Sequence, residues 1–108
     1  MAWFPCPYLN SDVELTDERE RHIALRHPDL YRKHWPRVAE TIADPDQVRR
    51  SGRDPNTRLF TRWFTAVKEG KYVVAAVVTD AGGGRHWLST AYIARRLSQG
   101  VNVEWQRN

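Results

Sequence analysis

Cysteine is almost missing from this sequence: Cys6 stands alone among 108 residues, so no disulfide can form within the chain. Lying between two prolines, it reads as a small apolar packing residue, although a thiolate nucleophile is open in principle. Long apolar runs are missing too. The longest, VVAAVV at 73–78, is far too short to cross a bilayer, and the opening MAWFPCPYLNS has no basic segment followed by an apolar stretch of signal-peptide length. Neither export nor membrane insertion is expected, and a cytoplasmic location is.

A phosphate-binding glycine loop is also lacking. The glycines at 82–84 run into Arg85 and His86 instead of Lys and Ser/Thr, and they precede a strand pattern, not a helix. His22 and His27 are five residues apart, which is not the spacing of a zinc-binding helix, and no cysteine pair accompanies them. No metal and no cofactor is therefore expected. There is no internal repeat.

What the chain does have is bulk and positive charge. Five Trp, four Tyr and three Phe within a 41% hydrophobic composition supply enough apolar surface for one globular domain spanning residues 1–108. The net charge of +4 is uneven: residues 1–48 hold 6 basic and 9 acidic side chains, and residues 49–108 hold 11 and 4. A basic second half favours an anionic partner, of which a polyphosphate is the commonest for a small cytosolic domain, although such charge often serves only solubility.

The hydrophobic period divides the chain. In LTDERERHIALRHP, Thr16 can cap a helix, Asp17 and Glu18 suit its positive end and Pro28 stops it, which predicts a first helix from about Asp17 to His27. A second begins near Trp35 or Pro36, with Val38, Ala39 and Ile42 as its apolar stripe, and a short turn or an extra helical turn separates the two. From Gln47 the period becomes two. QVRRS, TRLFTRWFTA, KYVVAAVVT, RHWLSTAYIAR and NVEWQ read as strands, the last at an edge, and the short connections KEGK and DAGGG imply antiparallel neighbours. The expected fold is α+β, with two N-terminal helices followed by a four- to five-stranded antiparallel meander.

KYVVAAVVT is apolar on both faces and belongs in the middle of the sheet, where the small Ala75 or Ala76 would leave a shallow trough on the side away from the helices. Alternation places Arg58 and Arg62 on one side of that strand and His86, Thr90 and Tyr92 on the other, all expected on a single polar face. Guanidinium groups, hydroxyls and aromatic rings around a trough have the parts to hold a phosphodiester and stack its bases. An ordinary solvated sheet face reads the same way. His27 can instead cap helix carbonyls, and His22, beside Ile23 and Leu25, can be a hydrogen-bonded residue at the edge of the core.

Taken in order, CPYLNSDVELTDERERHIALRHPD, IADPDQV, RLFTRWF and STAYIARRL resemble the phage-type branch of the barnase, EndoU, colicin and RelE-like (BECR) nuclease family, over most of the chain. The resemblance implies a metal-independent, toxin-like endoribonuclease, paired in many cases with an antitoxin or immunity protein. It implies a helix histidine, a strand cation and a late-strand hydroxyl around the scissile phosphate, which here match His22 and His27, Arg62, and Thr90 with Tyr92. Arg58 and His86 would contact the RNA, and Trp63 is expected mainly to pack against the helices. Such an enzyme uses the 2′-hydroxyl as nucleophile, so it needs a base, an acid and positive charge at phosphorus, and it leaves a 2′,3′-cyclic phosphate. The alternative is a non-catalytic module that binds RNA or a protein.

Overall fold

Helix boundaries follow the local chemistry closely in the computed structural model, which describes residues 1–98 and 102–108. Helix α1 (Asp17–Arg26) starts where the Thr16 hydroxyl accepts the Arg19 N–H at 3.2 Å, and three acidic residues occupy its first turn. Pro28 ends it and opens α2 (Pro28–Lys33), the extra helical turn between the two expected helices. Helix α3 (Pro36–Ala43) also opens on proline and buries Val38, Thr41 and Ile42.

Among the described residues seven strands form one mixed sheet: β1 (Ala2–Cys6), β2 (Ser11–Leu15), β3 (Gln47–Arg50), β4 (Thr57–Phe64), β5 (Lys71–Thr79), β6 (His86–Ala94) and β7 (Asn102–Gln106), in the order β1-β2-β6-β5-β4-β3-β7. The α+β class matches expectation, but the antiparallel run β3–β6 is part of a seven-stranded mixed sheet instead of a four- to five-stranded meander, and the helices-then-sheet order does not hold. A hairpin precedes the helices. Its first strand tolerates Pro5 because it lies at the sheet edge, and Asn10, at φ 52°, closes the turn into β2. Strand β2 then runs parallel to β6, which makes the sheet mixed. Strand β7 is an edge as expected, but it crosses to β3 at the far side instead of extending the meander beyond β6.

The three helices cover one face of the sheet. Ile23, Leu30, Val38 and Ile42 pack there against Phe60, Val73, Ala75, Val77 and Leu88, each removing roughly 1–3 kcal/mol worth of apolar surface from water. Paired residues share a face, so Val74 and Ala76 point to the opposite side. Ala76 is thus the alanine that forms the trough. Strand β6 carries a bulge: Ala76 pairs with Thr90 and Val77 with Leu88, which leaves Ser89 extra and reverses the alternation at that point. Among the described residues no helix is long and apolar enough to cross a membrane.

Candidate active site

On the face away from the helices, side chains form three rows across the strands. The first runs Trp63–Tyr72–Ala94, the second Gln47–Thr61–Val74–Tyr92, and the third Arg49–Leu59–Ala76–Thr90. Neighbouring strands are about 4.8 Å apart, so a long arginine side chain spans two of them. Arg49 uses that reach: it lines a cavity of about 50 Å³ together with Leu59, Thr61, Val74 and Tyr92.

A histidine reaches this face around the edge of β6. Strand β2 pairs with β6 at the bridge Glu14–Trp87, and α1 meets the edge of β6 further along, fixed by the Arg19 Nε–H donating to the Ser89 carbonyl at 2.9 Å. His27, between α1 and α2, therefore lies against Tyr92, with ring centroids 5.8 Å apart and planes inclined by 38°. Its outer side lines an open cleft of about 240 Å³ with Arg26 and Lys68.

The environment sets the protonation states. Burial, then the nearby charges of His22 and Arg26, push the His27 pKa below 6.5, so the ring is neutral at pH 7 and one nitrogen is free to accept a proton. Burial pushes the Tyr92 phenol up, partly offset by the Arg49 charge, so it remains a hydroxyl donor at neutral pH. Arg49 Nε and Thr90 Oγ1 are the buried side-chain polar atoms without a partner among the described residues, and both belong to the third row. Leaving such an atom unpaired costs roughly 1–3 kcal/mol, and a polar ligand would remove that cost. Arg49 Nη2 donates to the Ser98 carbonyl, and residues 96–98 roof the cavity.

The expected residues separate into two groups. Tyr92 meets His27, and Thr90 lies two residues from Tyr92 on the same face of β6. Arg62 and Arg58 pair with Val73 and Val77, so they lie on the helix-covered face, opposite to expectation. Arg62 donates to the Asp44 carbonyl (3.1 Å) and carboxylate (3.3 Å) and lies over the Phe64 ring. Arg58 Nε–H donates to Glu104 at 2.8 Å and its Nη1 to Thr79 Oγ1 at 3.3 Å, while Thr79 Oγ1 is 2.8 Å from Nδ1 of the buried His86. His86 faces the helix side because it precedes the Ser89 bulge, whereas Thr90 and Tyr92 follow it. His22 is half-buried on α1 and acts on His27 through its charge. Trp63 does not pack on the helices. It is 44% exposed on the open face.

Arg49 is the cation that the sequence reading missed. It lies in VRR, where Val48 enters the core and the next residue must point the other way. Among the described residues no group of three or more His, Cys, Asp or Glu side chains is placed to hold a metal ion. Comparison of the chain with protein-family models, with curated proteins and with solved structures returns no match.

Proposed function

We propose that the chain is a small endoribonuclease of the BECR type that cleaves RNA by acid–base transesterification, with Arg49 taking the place of Arg62. The observation that carries this reading is that Tyr92 meets both candidates, its ring lying against His27 at the edge of β6 and lining the cavity of Arg49 from within the sheet, while Arg49 Nε and Thr90 Oγ1, on the same face, are buried and unpaired among the described residues. Neutral His27 takes the proton from the 2′-hydroxyl as the O2′–P bond forms, and the 5′-oxygen that leaves phosphorus takes its proton from water. Arg49 neutralises charge at phosphorus through its N–H fork, and the Tyr92 and Thr90 hydroxyls donate to the phosphate oxygens. Arg26, in the cleft beside His27, offers the RNA backbone a positive charge, whereas Lys68 in that cleft is paired with Asp29.

Helices packed on an antiparallel meander agree with what the resemblance implies for such a nuclease, and an acidic antitoxin or immunity protein is the corresponding protein partner. The test is direct: wild-type protein with RNA in EDTA yields 2′,3′-cyclic phosphate ends, and His27→Ala does not.

One observation favours the non-catalytic reading. Residues 96–98 leave only about 50 Å³ beneath them and the Ser98 carbonyl already occupies Arg49, so a phosphate must displace this segment to bind. RNA bound without any cleavage, by wild type and His27→Ala alike, would decide for that module.

A further inference from the structure

Next to the proposed phosphate site the open face holds a second, larger cavity of about 270 Å³, which shares Thr61 and Leu97 with the first. Trp63 forms one wall, and two contacts fix its ring. The indole lies 5.0 Å from the Tyr72 ring, edge to face at 75°, and it rests on the backbone of Gly70. A Cβ at residue 70 would stand 2.6 Å from Trp63 Cζ2, so only glycine permits that approach. The backbone is held as well, because the Trp63 N–H donates to Asp46 Oδ2 at 2.8 Å. A rigid aromatic ring left 44% exposed inside a concavity is a stacking surface that loses little conformational freedom when something covers it.

The polar groups of this cavity are unevenly committed. Arg107 spends its donors on Asp44, Pro45 and Asp46, and in doing so it offsets the Asp46 charge that would repel an anionic ligand. The side-chain amides of Gln47 and Gln106, paired opposite each other on β3 and β7, make no hydrogen bond to any described residue. The free recognition groups are therefore amides, not guanidinium.

We propose that this cavity is a nucleobase subsite that selects adenine at the nucleotide flanking the cleaved phosphate, an inference that rests on the ribonuclease reading. Trp63 stacks on the base. A glutamine amide matches the adenine edge, donating to N7 and accepting from the N6 amino group, whereas the guanine edge presents two acceptors and calls for the arginine donors that are already engaged here. Trp63 lies one row of side chains from Tyr92 and two from Thr90, and Gln47 lies in the row of Tyr92, all on the same face, so a base and its adjoining phosphate can occupy both cavities together.

The test uses the whole chain and fluorescein-labelled 2′-O-methyl hexanucleotides of A, G, C or U, which bind but cannot be cleaved. The A oligomer is expected to bind most tightly. Trp63→Ala is expected to weaken it roughly 5- to 100-fold, with Trp63→Phe restoring most of the loss, and Gln47→Ala to bring A and G within a few-fold of each other. Equal binding of all four by wild type, or a preference for G, overturns the inference, and so does unchanged affinity in a folded Trp63→Ala. Cleavage of the matched RNA hexamers, scored separately, distinguishes the two readings. Cleavage without base preference sinks the subsite alone, and A-selective binding without cleavage sinks only the nuclease.

Discussion

The His27 ring lies against the Tyr92 ring at 5.8 Å, although one belongs to a helix junction and the other to the sheet face that the helices do not cover. The contact exists because β2 leaves the edge of β6 after a single bridge, so the α1–α2 junction can reach around it. Tyr92 in turn shares a cavity with Arg49, which makes it the residue common to the imidazole and the guanidinium.

The protonation of His27 gives the first prediction. Burial and the neighbouring charges hold its pKa below the ordinary histidine value, so with His27 as the base cleavage rises with pH and levels off at a lower pH than an unperturbed histidine would give. His22→Ala removes one of the charges that disfavour a proton on His27, and its titration midpoint should move up. An NMR titration of the His27 ring in wild type and variant measures this, and an unchanged midpoint would show that the two rings do not interact.

Glu104 gives a stability prediction. It is the extra residue at the irregularity where β7 pairs with β3, and its carboxylate accepts from Arg50, Arg58 and the Tyr8 hydroxyl, the last at 2.6 Å. Burial pushes its pKa up, but the Tyr8, Arg58 and Arg50 hydrogen bonds outweigh this and hold it at about 2, while burial and Glu104 raise Tyr8 to about 12. A folded-state pKa below the ordinary 4.5 means that the stabilisation is complete above pH 4.5 and is lost between about 4.5 and 2. The side chain is partly exposed, so Glu104→Gln should cost only about 1–2 kcal/mol at pH 7. The gap to wild type in urea denaturation should close as the pH falls through that window.

Two glycines should respond differently to substitution. Gly70 combines φ 108° with the Trp63 contact, so Gly70→Ala is expected to lose about 1–3 kcal/mol. Gly83, at φ 76° with open space around it, should accept Asn at a cost under about 1 kcal/mol. Thermal melts of the two variants make the comparison, and equal losses would mean that the Trp63 contact is not tight.

Local chemistry made the helices legible in the sequence. Thr16, Pro28 and Pro36 mark boundaries that the structure reproduces within a residue or two, and the two-residue period identified β3 to β7. The N-terminal hairpin was hidden because Pro5 and Pro7 mask a short edge strand. The face assignments failed for a different reason. Reading Arg58 and Arg62 together with Thr90 and Tyr92 requires relating two strands through a third, and neither the register nor the bulge at Ser89 can be seen in alternation alone. Arg49 escaped notice because the polar face was read from the two neighbours of β5 alone, and β3 lies one strand further out.

The most direct measurement of the central claim compares Arg49→Ala with Arg62→Ala in single-turnover cleavage of RNA in EDTA, after circular dichroism has shown both variants to be folded. A guanidinium that stabilises charge at phosphorus is worth about 10²–10³-fold in rate, and that loss is expected for Arg49→Ala, while Arg62→Ala stays within a few-fold of wild type because its partners are Asp44 and Phe64 on the other face. Loss of cleavage in Arg62→Ala with Arg49→Ala unaffected, or no cleavage by the wild type, would contradict the site described.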